Sequence, residues 1–379
     1  MKKQLALATA ALMALSLAAC GSTATASSTA ESTSTAASSE AASTDSTAAD
    51  DGDVLQQAAA SAARAAAPKS PIAALEGLLL EAGADLRITG YDLKKAIYTN
   101  MEADIPEPGS VLVGARLFCE MLRRMPDGVV TVEAENGTVT VRCGRSSFNL
   151  VGMSAEDYPD LPSVEAENGV SLPQNLLKKM INECSFAVST NESRPVYMGT
   201  LFEIAHNELT MVSVDGYRLA LRREPVEGYG DDCSFIVPGT ALSDLERLCG
   251  DSDERVKMSV GSKHISFTVG STVILSRRLE GDFLNYKKAI PESFRITVKT
   301  ARTDLLDVVE RVSLIVDSKN NAPLRLTFRK DAIDFVCTTP LGKAADSCPC
   351  EGDGGDLEIG FNDHYLSDAL KAAPADAVS

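Results

Sequence analysis

The chain has 379 residues, of which 44% are hydrophobic, enough to form buried cores and to exclude a wholly disordered protein. Its 36 Lys and Arg against 53 Asp and Glu give a formal charge of −17, which excludes a surface that is basic all over but allows a basic patch. At about 150 residues per domain, this length predicts two or three domains.

The first residues have the pattern of a secretory signal. Met1-Lys2-Lys3 precedes the apolar run Leu5–Ala18. The sequence Leu17-Ala18-Ala19-Cys20-Gly21 is similar to a bacterial lipoprotein signal, in which Cys20 would carry the lipid. A buried apolar helix is the alternative for this run. Residues 21–53 are almost entirely Ser, Thr, Ala, Glu and Asp, which predicts a disordered tether. Taken alone, residues 1–53 predict export and lipid anchoring.

Three copies of one pattern follow. Each copy starts with a helix pattern, at Val54–Ala66, Pro173–Phe186 and Thr303–Ile315. A proline then precedes two alternating runs that predict a β-hairpin. These prolines are Pro71, Pro195 and Pro323, which lie 124 and 128 residues apart. The near-constant interval indicates an internal repeat.

A second helix pattern recurs at intervals of 124 residues, at Gly114–Met125, Pro238–Leu248 and Asn362–Ala372. Further alternating runs follow it in the first two copies, at Val129–Glu133, Thr138–Cys143, Val256–Val260 and His264–Val269. The chain reaches Ser379 before the third copy has such runs, so we expect the third copy to be incomplete. The pattern predicts an α+β fold in which two helices pack on antiparallel sheets in each copy.

Several segments then resemble one family. They are Lys69-Ser70-Pro71-Ile72, Glu76–Ala82, Ile88–Leu93, Arg194-Pro195-Val196, Leu201–Ile204, Val214-Asp215-Gly216-Tyr217-Arg218-Leu219-Ala220, Arg311–Leu314 and Ile359–Asn362. In this order they are similar to the bacterial sliding clamp, the β subunit of the replicative DNA polymerase III. The resemblance covers roughly residues 54–373. It departs at both ends, where the tether replaces the first clamp strand and the closing strands and C-terminal tail are absent.

The resemblance implies a fold and a role. Such clamps are head-to-tail homodimers of three-domain subunits, whose ring encircles double-stranded DNA with helices lining the channel. They are processivity factors without an active site or cofactor. Their partners, DNA polymerase III and clamp loader subunits, bind through short peptide motifs. The expected domains are a signal at 1–20, a tether at 21–53 and clamp domains at 54–163, 164–291 and 292–379.

A clamp needs phosphate-directed, salt-sensitive contacts from basic residues on its helices. The candidates lie on or beside the predicted helices of all three copies: Lys69, Arg116, Arg123, Arg124, Lys178, Lys179, Arg247, Arg302, Arg311 and Lys371. Arg116 and Arg123 are seven residues apart, which predicts one helix face. Each charge alone is typical of a solvated surface, but their recurrence in every copy favours a basic channel inside an acidic rim.

Two further sites follow from the resemblance. The groove for partner peptides would involve Tyr197, Gly216, Tyr217, Arg218, Leu219, Pro238 and Leu242. Without the resemblance these would be ordinary packing residues, and Tyr217 stands where many relatives have His. The dimer interface would place Arg145, Phe148 and Leu150 of the first copy against Leu314 and Ile315 of the third.

Catalytic signals are sparse. His206, His264 and His364 lie far apart in the sequence and show no metal-ligand spacing or catalytic triad order. Cys348-Pro349-Cys350 leaves a redox or metal element open as a minor alternative. The second functional hypothesis is an exported, lipid-anchored binding protein with a clamp-like body. The clamp hypothesis predicts a cytoplasmic protein, so the N-terminal segment and the body conflict.

Overall fold

The computed structural model describes residues 11–14, 51–164, 169–226, 232–316, 322–352 and 354–379, with 11–14 and 51–53 described by their backbone alone. Cys20 and the predicted tether up to residue 50 lie outside the described residues. The chain divides into two compact units. Unit 1 comprises Met1–Pro162 with Ser271–Ile274, and unit 2 comprises Ser163–Gly270 with Leu275–Ser379.

Unit 1 contains the first copy. Its helices are α1 (Asp51–Ala63) and α2 (Ala115–Leu122). Its strands are β1 (Ala11–Ala14), β2 (Gly77–Ala82), β3 (Leu86–Tyr91), β4 (Lys95–Met101), β5 (Gly109–Gly114), β6 (Val130–Glu135), β7 (Thr138–Cys143) and β8 (Ser146–Val151). They form antiparallel sheets in the orders β5-β2-β3-β4 and β1-β6-β7-β8.

Small residues bring α1 close to its sheet. Ala58, Ala59 and Ala62 of this helix are buried against the core. A Cβ at Gly90 of β3 would lie 2.0 Å from the carbonyl oxygen of Ala62, so only glycine allows this approach. Phe118 of α2 is fully buried in the same core, which places both helices over one sheet.

The second copy follows, and all of it except Ser271–Ile274 lies in unit 2. Its helices are α3 (Gln174–Ser185), α4 (Gly239–Leu248) and the short α5 (Tyr286–Ala289). Its strands are β9 (Gly169–Pro173), β10 (Gly199–Ala205), β11 (Glu208–Val214), β12 (Leu219–Pro225), β13 (Cys233–Pro238), β14 (Arg255–Val260), β15 (His264–Val269) and β16 (Thr272–Arg277). The sheet orders β12-β11-β10-β13 and β16-β15-β14-β9 repeat those of the first copy.

The third copy completes unit 2. Its helices are α6 (Arg302–Ser313) and α7 (Asp363–Ala372). Its strands are β17 (Val298–Ala301), β18 (Leu324–Phe328), β19 (Ala332–Thr339), β20 (Gly342–Pro349), β21 (Glu351–Gly352), β22 (Leu357–Phe361) and β23 (Ala377–Val378). The order β20-β19-β18-β22 matches the corresponding sheets of the other copies, and β21-β17-β23 is a smaller sheet.

The predicted helices and hairpins are confirmed in all three copies, with ends that differ by a few residues. Two details differ at the N-terminus. The helix α1 begins at Asp51, inside the segment predicted as tether. The first strand is also present rather than replaced, because Ala11–Ala14, within the predicted signal, pairs antiparallel with β6 as β9 pairs with β14. Unpaired backbone groups at a sheet edge favour such pairing.

Candidate functional sites

The basic candidates of unit 1 surround one carboxylate. The helix α2 ends at Leu122, so Arg123 caps the helix and Arg124 follows it, rather than both lying on it as predicted. Their guanidinium groups lie 3.1 and 2.6 Å from the carboxylate of Glu120. The hydrogen bond from Arg124 and the charge of Arg123 lower the pKa of Glu120. These two cations are therefore partly neutralised by their own helix.

Four of the basic candidates of unit 2 are also held in ion pairs. Lys178 lies 2.8 Å from Asp251, and Lys179 lies 3.9 Å from Glu183. Arg311 and Lys371 form ion pairs at 2.7 and 3.0 Å. Their partners are Asp346 and Glu310.

Arg302 has a different role. Its guanidinium donates hydrogen bonds to the carbonyl oxygens of Ala375 and Leu370, at 3.1 and 3.5 Å, which ties the start of α6 to the last turn of α7 and to the segment that follows it. Among the described residues, Lys69, Arg116 and Arg247 form no ion pair, and all three are exposed. Most predicted phosphate contacts would thus compete with a carboxylate, so each can add only modest affinity for DNA.

The turn between β11 and β12 organises the predicted peptide groove. The Asp215 side chain accepts hydrogen bonds from the backbone N–H groups of Tyr217 and Arg218, at 2.9 and 3.1 Å. Gly216 has a φ of +100°, a conformation that glycine adopts without strain. This local bonding fixes the backbone of the turn while the Tyr217 side chain remains 85% exposed.

Arg218 joins the second copy to the third within unit 2. Its guanidinium pairs with Asp215 at 2.9 Å and with Asp368 of α7 at 2.7 Å. It also lies over the ring of Tyr365, 4.4 Å from the centroid. The Tyr217 and Tyr365 rings are 6.1 Å apart. Tyr365 and Asp368 were missed from the sequence, because no local signal links them to a turn about 150 residues away.

The other groove candidates differ in exposure. Tyr197 is half-buried, and its ring meets the edge of Phe283 at 5.6 Å. Leu219 packs at the margin of an apolar cluster around Leu201 and Ile236. Leu242 of α4 is fully buried within unit 2, so it packs this helix against the core and does not form a wall for a ligand. Pro238 sits at the start of α4 and is half-buried.

The predicted interface residues lie on separate units. In unit 1, β8 forms an edge of its sheet, where Arg145 is exposed and Phe148 is 42% exposed. Leu150 is instead buried in the core, because its side chain points between the sheets. In unit 2, Leu314 caps α6 and is 83% exposed, whereas Ile315 packs against the core of the third copy.

Reactive groups for catalysis are poorly placed. Burial raises the pKa of the Cys119 thiol to about 11 and that of Cys184 to about 12, so neither forms a thiolate near neutral pH. Burial also raises the pKa values of Cys348 and Cys350. Within the part of the chain that the structure describes, no three His, Cys, Asp or Glu side chains cluster to hold a metal ion. The described helices also include none long and apolar enough to cross a membrane.

Three copies of a two-helix α+β module, with helix-borne cations and an ordered turn beside α7, define the clamp class of proteins. Family models for the DNA polymerase III β subunit match the chain in succession: the N-terminal domain at 51–162, the central domain at 171–285 and the C-terminal domain at 287–379. The chain therefore belongs to the family of bacterial DNA polymerase III β subunits, the β sliding clamps.

Individual proteins of this family are similar to the chain in sequence and in structure. The chain is 31% identical over 327 residues to the β sliding clamp of Staphylococcus epidermidis, and the alignment covers 83% of this chain and 87% of that protein. The crystal structure of the Bacillus subtilis sliding clamp is similar with a TM-score of 0.82 at 27% identity, covering 86% of this chain and 90% of that one. A putative β subunit from Eubacterium rectale gives a TM-score of 0.83 at 26% identity, covering 86% and 89%.

Proposed function

We propose that this chain is a DNA sliding clamp that works as a head-to-tail homodimer, a ring of six clamp domains around duplex DNA. The observation that carries the proposal is the same module repeated three times, which family models for the three clamp domains match in order. The role is that of a processivity factor that tethers a polymerase, and it requires no active site.

The ion pairs of the basic side chains support a protein that stays on DNA because it encircles the duplex, and not because it binds the duplex tightly. Six of the ten candidates are held in ion pairs, by Glu120, Asp251, Glu183, Asp346 and Glu310. A cation that is already paired gains less from a phosphate, because the existing pair must first be broken. Contacts of this kind are weak and salt-sensitive, which suits movement along DNA without reading its sequence.

Partner binding is assigned to the turn of Asp215–Leu219 together with Tyr365 of α7. Exposed aromatic rings beside aliphatic side chains are typical anchors for short peptides. The partners we propose are DNA polymerase III and clamp loader subunits, which places the protein in the cytoplasm. The dimer contact would bring the β8 edge of one subunit to the exposed Leu314 of the other subunit, and two such contacts close a ring.

The test is retention on DNA that depends on topology. The full chain is loaded on a nicked circular plasmid by the clamp loader of the same bacterium, in the presence of ATP. Gel filtration then separates plasmid-bound protein from free protein. We expect co-elution with the plasmid, and release after cutting with a restriction enzyme that has one site. Equal retention on linear and circular plasmid would contradict a ring, because ordinary affinity does not depend on free ends.

Membrane anchoring through Cys20 is a separate proposal, supported only by the sequence of residues 1–20. Cells grown with an alkyne-tagged fatty acid would show label on the chain that is lost in Cys20→Ser. A ring around chromosomal DNA and an anchor outside the membrane exclude each other. Labelled protein in the membrane fraction would therefore favour the exported binding protein over the clamp.

A further inference from the structure

In unit 2, a turn of the second copy packs on a helix of the third. Tyr217 of the β11–β12 turn has its ring 6.1 Å from the ring of Tyr365, which is the third residue of α7. Arg218 of the same turn pairs with Asp368 of this helix at 2.7 Å. Because the copies repeat one module, this contact shows which residues of one copy meet the next copy in a head-to-tail arrangement.

The corresponding turn of the third copy lies between β19 and β20. In the second copy the Asp215 carboxylate accepts a hydrogen bond from the backbone N–H of Tyr217, and in the third copy the Thr339 hydroxyl accepts one from the N–H of Leu341 at 3.1 Å. The strand registers agree with this alignment, because in each hairpin the residue before Asp215 or Thr339 pairs with the residue five positions further on. Leu341 therefore takes the place of Tyr217, and its side chain is 73% exposed.

The helix of the first copy that corresponds to α7 is α2. Leu117 is the third residue of α2, as Tyr365 is the third residue of α7. Each helix follows the strand that pairs with the first strand of the hairpin, β5 beside β2 and β22 beside β18. Leu117 is 60% exposed, so the first copy presents an apolar side chain where the third copy presents the ring that a turn contacts.

The ion pair of the internal contact has no counterpart at these positions. Gly342 stands where the turn of the second copy has Arg218, and Glu120 stands where α7 has Asp368. Gly342 has no side chain to pair with a carboxylate, and Glu120 is held by the two arginines at the end of its own helix. The turn of the third copy and the helix of the first copy are therefore matched by two exposed leucines.

We propose that Leu117 of one subunit packs against Leu341 of the partner subunit in both contacts of the head-to-tail dimer, where an apolar pair replaces the ion pair found between the second and third copies. The proposal rests on the homodimer proposed above and names two side chains that close it. A single exposed leucine is ordinary on a protein surface, but these two occupy the positions at which the internal contact joins its turn and its helix. Packing them together removes apolar surface from water and pairs no charges, so salt does not weaken this contact.

The test is a double-substitution cycle in the full chain, with the dissociation constant of the dimer measured by sedimentation equilibrium. We expect Leu117→Ala and Leu341→Ala each to raise this constant about tenfold, because every dimer loses the contact twice. The double variant should also show a rise of about tenfold, since the second substitution removes a contact that is already lost. Leu93→Ala, at an exposed leucine in the corresponding β3–β4 turn of the first copy, is the matched control and should leave the constant unchanged.

Salt distinguishes an apolar contact from an ionic one. The effect of the alanine substitutions should be the same at about 0.05 M and about 0.5 M NaCl, because they remove no charge. Combining Leu117→Lys with Leu341→Glu places an ion pair across the contact, so this dimer should weaken more steeply with salt than the parent dimer.

Three results would overturn the contact while leaving the dimer in place. They are a rise of about a hundredfold in the double alanine variant, an alanine effect that disappears in high salt, and equal salt dependence of the charged variant and the parent chain. A monomeric parent chain would overturn both this contact and the proposed homodimer, so the two failures are distinguishable.

Discussion

Nη1 of Arg218 lies 2.7 Å from Oδ2 of Asp368, and this ion pair connects the β11–β12 turn of the second copy with α7 of the third. The Arg218 side chain is 18% exposed and that of Asp368 is 44% exposed. Arg218 also holds Asp215, which in turn orders the backbone that presents Tyr217. One guanidinium therefore couples the contact between copies to the shape of the proposed groove.

We expect Asp368→Asn to lower the free energy of unfolding of unit 2 by about 0.5–1 kcal/mol, because this pair is half-exposed. Arg218→Met should cost about 2–3 kcal/mol, since the mostly buried Asp215 also loses its cation and the contact with Tyr365 is lost. Urea denaturation of both variants and the double variant, followed by circular dichroism, gives the coupling energy. The exposed pair Arg325 and Glu358, on β18 and β22, is the matched control, with coupling below about 0.5 kcal/mol. Equal coupling in the two pairs would contradict a joining role for Arg218.

The threefold repeat could be predicted because each copy shows the same local patterns of apolar and polar residues. Alternation and helical spacing identify β7, β15 and the amphipathic α6 from a few residues each. The strand β12 shows no such pattern, because it carries charged residues on its inward face. Arg222 is tolerated there since Glu183 of α3 lies 3.1 Å away and neutralises it. A pairing between residues so far apart in the chain leaves no trace in the local sequence.

For the candidate sites, the sequence predicted where in the chain the residues lie, but not which side chains they contact. The resemblance identified the turn of Asp215–Leu219, but not the aromatic and acidic partners that α7 brings to it. Leu150 and Leu242 were assigned to surfaces, yet both are buried. Apolar character alone does not distinguish a leucine that faces a partner from one that faces the core. The ion pairs that hold most of the basic candidates also depend on folded geometry, as between Lys178 and Asp251.

Acid should loosen the segment between β16 and α5, which Glu203 holds through Tyr286 and Lys287. Burial raises the pKa of Glu203, but hydrogen bonds from Tyr286 and Lys287 outweigh it, so its pKa is lowered overall. A carboxyl whose pKa is lower in the folded state stabilises the fold above its unfolded pKa of about 4.3, and this stability is lost as the pH falls through the folded pKa. We expect Glu203→Gln to cost about 1–2 kcal/mol at pH 7, and this cost to shrink as the pH falls below about 4.3 and through the lower folded pKa. Urea denaturation across this pH range measures the difference. Glu280→Gln, at a largely exposed position, should show no such dependence.

Leu314 offers a test of the dimer contact that does not disturb the fold. Its side chain is 83% exposed, so Leu314→Asp should change the free energy of unfolding by less than about 0.5 kcal/mol. A carboxylate in an apolar interface between two subunits would instead be costly to bury. We expect sedimentation velocity to show a dimer for the parent chain and a monomer for the variant. Phe294→Asp replaces another exposed apolar residue, outside the proposed contact, and should remain dimeric. If both variants stay dimeric, Leu314 does not lie in the interface.

Glu120 should limit the affinity for DNA, since its carboxylate pairs with Arg123 and Arg124. We expect Glu120→Gln to free both cations for phosphate, so that affinity for a short linear duplex rises. The slope of log K against log salt should steepen by about 1–2, at about 0.9 per added phosphate contact. Fluorescence anisotropy at several salt concentrations measures both quantities. Glu358→Gln changes the net charge equally and frees Arg325, which lies on a strand instead of beside a helix. An equal effect of the two substitutions would mean that overall charge, and not the α2 cations, controls binding.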